Sequence, residues 1–118
     1  MNEAFPAAVR LKTRSEFLEV QKNGRRLQTD RFLVLALARP GAPMRLGITV
    51  SRKVASAVGR SRIKRLFREA FRRGRGRWPE GWEIVIVARR ECVGATYAQL
   101  SEALARVLGR LRPVRSAA

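Results

Sequence analysis

Apolar and polar positions follow two periods along the chain, and the switches between them mark out the elements. Phe32-Leu33-Val34-Leu35-Ala36-Leu37-Ala38 is apolar on both parities, the pattern of a strand covered on both faces. Arg45 to Ser51 alternates instead, with Leu46, Ile48 and Val50 on one face, and Pro40-Gly41 marks a turn between the two segments. Together they predict an antiparallel hairpin with a somewhat long loop. Trp82 to Ala88, rich in β-branched residues, predicts a third strand, and Arg25 to Gln28 a short edge strand.

Helical spacing takes over elsewhere. Thr13-Arg14-Ser15-Glu16 is a capping-box pattern that predicts a short helix carrying Phe17, Leu18 and Val20, with Gly24 as its stop. Ser56 is a fitting N-cap for a helix running to about Arg73. Its apolar residues Ile63, Leu66, Phe67, Ala70 and Phe71 recur at i, i+3, i+4, i+7 and i+8, and Gly74 and Gly76 close it. Thr96-Tyr97-Ala98-Gln99 is a second capping box, opening a helix with Leu100, Ala103, Leu104, Val107, Leu108 and Leu111 on one stripe. The order helix, strands, helix, strand, helix predicts an α+β fold with helices packed on a small mixed sheet. The 118 residues suit a single domain, with residues 1–9 and 113–118 expected to be flexible.

Charge changes the picture more than composition does. The chain has 26 Lys and Arg against nine Asp and Glu, a formal net charge of +17. Surface salt bridges cannot absorb such an excess, and its self-repulsion points to a polyanionic partner. There is no His, which excludes His general bases, triads and metal ligands, and the single Cys92 excludes an intramolecular disulfide or a multi-Cys zinc site. A lone thiol suits a reducing cytoplasm and reads as a small buried apolar residue. The apolar run Phe32–Ala38 is too short to span a bilayer, and Met1 to Val9 does not read as a signal peptide. The acids are scattered and no glycine-rich phosphate loop precedes a helix, so the chain reads as a binder with no catalytic constellation of its own.

The excess is also concentrated. Positions 52 to 77 hold eleven basic residues and one acid, Glu69. Arg60, Lys64, Arg68 and Arg72 form an i, i+4 row on the helix whose other face is committed to the core, flanked by Arg62 and Arg65. A solvated helix face ordinarily alternates signs, because like charges at this spacing repel. A stacked row is the pattern of a ridge aimed at phosphates. Phe17 and Phe32 are candidates for a groove in which unpaired bases stack, or else plain core residues, whereas Trp78 and Trp82 read as core or loop anchors.

The stretch Gly59-Arg60-Ser61-Arg62-Ile63-Lys64-Arg65-Leu66-Phe67-Arg68-Glu69-Ala70-Phe71-Arg72 resembles the signature of the bacterial ribonuclease P protein subunit, which reads Arg-Asn-Arg, Lys-Arg and Arg-Glu with a following Phe. Leu11-Lys12, Glu16-Phe17, Gly24, Phe32, Gly47, Val50-Ser51-Arg52-Lys53, Ala57-Val58 and Ile84 to Arg89 fall in that family's order, so the resemblance covers roughly residues 10 to 110. It implies a four-stranded mixed sheet with three helices and a left-handed β-α-β crossover, which the usual right-handed preference would not predict. It also implies a cytoplasmic ribonucleoprotein in which a catalytic RNA, with Mg2+, removes the 5′ leader of precursor tRNA. The protein would bind the leader and stabilise the RNA fold and its metal ions, with no membrane association and no obligate protein partner. By position, Arg60, Ser61, Arg62, Lys64, Arg65, Arg68 and Arg72 would face the catalytic RNA. Phe17, Phe32, Leu35, Arg52, Lys53, Arg89 and Arg90 would lie at the cleft for the single-stranded leader. Ser61 stands where the family has Asn, and Gln21 and Leu35 where it often has aromatics. A ribosomal or RNA-chaperone protein shares the same charge logic without cleavage. A DNA-binding regulator would need a helix-turn-helix arrangement that is missing before the basic helix.

Overall fold

A computed structural model describes residues 10–11, 13–74 and 78–114. The chain runs α1 (Arg14–Asn23), β1 (Arg25–Gln28), β2 (Phe32–Ala38), β3 (Arg45–Thr49), α2 (Ala57–Arg73), β4 (Trp82–Ala88), a 3-10 turn (Arg90–Cys92) and α3 (Tyr97–Leu108). Both capping boxes form. The Thr13 hydroxyl accepts from the Glu16 N–H while the Glu16 carboxylate accepts from the Thr13 N–H, and Thr96 and Gln99 repeat the arrangement. Ser56 caps α2 through the Gly59 N–H, and Gly74 closes it. Gly76 lies outside the described residues. Leu111 is buried as its stripe predicts, although α3 itself ends at Leu108. Beyond the point where fraying was expected, the Val114 N–H donates to the Glu80 carbonyl at 2.8 Å.

The strands order β1-β2-β4-β3. The expected β2–β3 hairpin is therefore not formed: β4 lies between them, antiparallel to β2 and parallel to β3. The physical reason is burial. β2 and β4 are apolar on both parities and take the centre, where both faces are covered, whereas β1 carries Arg25, Arg26 and Gln28 and β3 carries Arg45 and Thr49, which suit edges. Parallel neighbours cannot be joined by a tight turn, and α2 makes the crossover between β3 and β4.

Two cores result, one on each face. Phe32, Val34 and Ala36 of β2, Leu46 of β3, and Ile84, Ile86 and Ala88 of β4 pack under α2 and α3. Leu33, Leu35 and Val85 face the other way, toward Val20 and Phe17 of α1 and toward Leu11, whose N–H pairs with the Leu46 carbonyl at 3.0 Å. Both tryptophans anchor loops. The Trp78 indole stacks on Phe71 and donates to its carbonyl at 2.8 Å, and the Trp82 indole donates to the Arg112 carbonyl at 2.8 Å. Cys92 is fully buried, as its solitary thiol suggests; it donates to the Arg31 carbonyl at 3.2 Å, and burial pushes its pKa up.

Candidate nucleic-acid interface

The inner face of α2 is fixed by Ile63, Phe67, Ala70 and Phe71, all buried. A helix advancing about 100° per residue must then present Arg60 to Arg68 outward or along its flanks. Ser61, Arg62, Arg65 and Arg68 are exposed, and Arg60 and Lys64 are half-buried. Two of the guanidinium groups are held by backbone carbonyls, which orient them without cancelling their charge: Arg60 donates to Ala55 at 3.1 Å and Arg62 to Ala95 at 2.9 Å. Arg68 lies toward the open edge of β3, where residue 10 forms an isolated parallel bridge with Leu46. Partial burial, and then the positive charge of Arg10 nearby, push the Arg68 pKa down.

Arg72 departs from the expected row. Its guanidinium grips both Glu69 carboxylate oxygens, at 3.0 and 2.6 Å, and Arg73 adds a third bond at 2.8 Å. These bonds, Arg72's first, hold the Glu69 carboxyl down at about 2. Arg73 also lies over the Tyr97 ring at 5.3 Å. The basic ridge on the outer side of α2 therefore runs from Arg60 to Arg68, and Arg72 is engaged with Glu69.

The opposite face of the sheet carries the second set of candidates. Strand register lays its residues out in rows: Arg26, Leu35, Val85 and Gly47 form one, and Gln28, Leu33, Val87 and Thr49 the next. α1 crosses the first row. The Phe17 ring sits directly on Gly47, where a Cβ would come within 2.6 Å of two ring carbons. The second row leaves Gln28 exposed and Val87 and Thr49 half-buried beside α1. Since β3 and β4 are parallel, their ends coincide, and the loops that follow bring Arg52 and Lys53 to the same end of the sheet as Arg89 and Arg90.

Two expected cleft residues are corrected. Phe32 points to the other face of the sheet, has no exposed surface, and meets Phe67 edge-on at 4.9 Å, so it is a core residue that no base can reach. Leu35 lies on the face that α1 covers but is only 4% exposed, beneath that helix. Arg31 was missed. It immediately precedes β2, its carbonyl pairs with the Arg89 N–H at 3.2 Å, and its guanidinium donates to the Glu91 carbonyl at 2.8 Å. Its position just before an apolar strand was the available signal.

Comparison with known proteins adds the identity. A family model described as ribonuclease P matches residues 5–112. The chain belongs to the ribonuclease P protein family. It is 41% identical over 108 residues to the ribonuclease P protein component of Geobacter sp. (strain M21), covering 92% of each chain. The corresponding protein of Thermotoga maritima is 41% identical over 91 residues, covering 77% of this chain and 78% of that one. Among solved structures, the Thermotoga maritima ribonuclease P protein superposes with a TM-score of 0.80 at 36% identity, over 87% of this chain and 97% of the other. A Staphylococcus aureus ribonuclease P protein superposes with a TM-score of 0.75 at 30% identity, over 87% of this chain and 94% of the other. As a ribonuclease P protein, the chain is the protein component of an RNA-containing endoribonuclease that processes the 5′ end of precursor tRNA. Among the described residues, no helix is long and apolar enough to cross a membrane.

Proposed function

We propose that this ribonuclease P protein holds two RNAs on two surfaces of one domain. The ridge Arg60, Ser61, Arg62, Lys64, Arg65 and Arg68 docks on the catalytic RNA, and the strip beside α1 takes the single-stranded 5′ leader of precursor tRNA. In the strip, Phe17 offers a ring for one base, while Arg52, Lys53, Arg89 and Arg90, joined by Arg31, neutralise phosphates at the end of the sheet. The observation that carries this reading is the separation itself. The basic ridge lies on the helix layer of one face, and the partly open strip of Gln28, Thr49, Val87 and the half-buried Phe17 ring lies on the other.

The chemistry belongs to the RNA. Among the described residues, no group of three or more cysteines or carboxylates is placed to hold a metal ion. We assign the magnesium to RNA phosphates, which suit its preference for oxygen ligands. The protein contributes by neutralising backbone charge where the RNA strands crowd, which lowers the magnesium needed to hold the RNA fold. A cytoplasmic setting agrees with the single reduced thiol.

The test compares precursor processing at low magnesium by the catalytic RNA alone and with added protein. Enhancement by the wild-type chain, with selective loss of precursor over mature tRNA binding in Phe17→Ala, is the expected result. No enhancement would favour a structural or chaperone role instead, and equal loss for both tRNAs in the Phe17 variant would remove the leader strip.

A further inference from the structure

The flank of α1 turned away from the strip carries Glu16 and Glu19, and behind it runs an unbroken chain of alternating charges. Glu19 pairs with Arg39, whose Nε reaches Glu83 at 3.3 Å. The other Glu83 oxygen takes Arg45 Nη1 at 3.1 Å, and Arg45 Nη2 reaches Glu16 at 2.9 Å. The same Arg45 Nη2 donates to the Arg10 carbonyl at 3.1 Å. One guanidinium thus ties together α1, the segment entering it and the first residues of β3 and β4. Glu16 serves twice, with one oxygen on the Thr13 N–H of the capping box and the other on Arg45.

Glu83 is the one buried acid among the described residues, at 7% exposure. It sits in a row with Leu37 and Arg45, two residues along the sheet from the apolar row of Leu35 and Val85. Burying a carboxylate there is a poor way to gain stability, because desolvation offsets most of the attraction to its partners. It does fix direction, since each bond requires a particular orientation. α1 needs such a constraint: it has ten residues and only Val20 fully buried, too little helix to hold its own pose.

We propose that the chain Glu19–Arg39–Glu83–Arg45–Glu16 is a positioning device for substrate selection. It holds the rear of α1 to one end of the sheet, so that the front of the helix presents Phe17 at Gly47 and leaves the Val87–Thr49 strip open. The inference deepens the leader-strip reading and rests on it. Glu16, Glu19 and Glu83 touch no RNA in this arrangement and act through α1.

The experiment uses Glu16→Gln with Glu19→Gln, since neither residue is buried and Gln keeps the capping box, and Glu83→Gln as a second variant. The first readout needs no RNA. In the full chain, the Phe17 ring shifts the NMR resonances of the Gly47 α-protons, and Phe17→Leu gives the value without a ring. The charge variants are expected to move the Gly47 signals most of the way to that value. The second readout is discrimination of precursor from mature tRNA by the holoenzyme reassembled with the catalytic RNA. It is expected to fall about fivefold or more, the low end of one base stack, while affinity for the catalytic RNA stays within about twofold of wild type. If the Gly47 signals stay at their wild-type positions in both variants, the positioning role is overturned whatever the RNA measurements give. If the signals move and discrimination is intact, the role in selection is overturned. Should Phe17→Leu also leave discrimination intact, the leader-strip reading itself fails.

Discussion

Gly47→Ala isolates the contact on which the leader strip turns. A Cβ at this position would lie 2.6 Å from Cε2 and Cζ of Phe17 and 3.2 Å from Leu11 Cδ1. Carbon atoms rest at about 3.5 to 4.0 Å, so the ring must retreat by roughly 1 Å or swing away. The ring is the free end of a half-buried side chain at the margin of the core, and it can yield. Overpacking costs about 1 to 3 kcal/mol, while Ala in a strand gains about 0.5 to 1 kcal/mol over Gly. The net destabilisation is therefore about 0 to 2.5 kcal/mol, and a domain stable by about 5 to 15 kcal/mol stays folded. Displacing the ring removes one base–aromatic stack, worth about 1 to 3 kcal/mol, or roughly 5- to 150-fold in precursor affinity. Mature tRNA, which has no leader, should bind as before. Equilibrium binding of both tRNAs to the reassembled holoenzyme measures the ratio, and a denaturation midpoint confirms folding. A folded Gly47→Ala protein with wild-type discrimination would refute the role assigned to the Phe17–Gly47 contact.

Arg65→Ala and Arg68→Ala should each weaken assembly with the catalytic RNA and flatten the slope of log K against log salt by about 0.7 to 0.9; Arg72→Ala should change it much less, because that side chain is already bound to Glu69, and titrations across a salt series compare the three. Phe32→Ala should cost about 3 to 5 kcal/mol of stability, read by denaturant unfolding, and should not shift the ratio of precursor to mature tRNA binding in the fraction that remains folded. Glu69 is held at about 2 in the folded chain against 4.5 when unfolded, so its contribution to stability is complete above pH 4.5 and is lost as the pH falls toward 2. Glu69→Gln should therefore flatten the melting temperature profile in that window, and an unchanged acid limb would show that the Arg72 and Arg73 bonds do not persist in solution.

Local signals carried most of the fold. Every helix start was legible because Thr13, Ser56 and Thr96 each satisfy a free backbone N–H, a requirement that acts within four residues. Strand pairing was less legible. Phe32–Ala38 and Arg45–Ser51 look like hairpin partners when read in order, and the parallel neighbour of β3 comes only after the seventeen residues of α2. The apolar parity of β2 and β4 contained the answer, since strands covered on both faces belong in the centre of a sheet. The same limit explains the site. The ridge on α2 follows from helical periodicity alone, whereas the face on which Phe32 lies is a parity question that its aromatic character cannot answer. Arg72 illustrates a different gap. An i, i+4 row counts positive charges but not the acid at i−3, and Glu69 turns out to chelate the last member.

Parallel pairing of β3 and β4 also decides where the two surfaces meet. Had β4 run antiparallel to β3, Arg89 and Arg90 would leave the sheet at the opposite end from Arg52 and Lys53. With β4 inserted, adjacent strands about 4.8 Å apart end side by side, and both basic pairs emerge at one corner. The loop that carries Arg52 and Lys53 leads at once into Ser56 and the first turn of α2, so the strip and the ridge share that corner. A leader strand leaving the proposed strip there would pass the start of α2, the helix proposed to dock on the catalytic RNA. On the proposed two-surface reading, the crossover that makes the sheet mixed would also set the distance between leader and catalytic RNA, and a short, rigid link of this kind is how a binding subunit can affect cleavage through positioning.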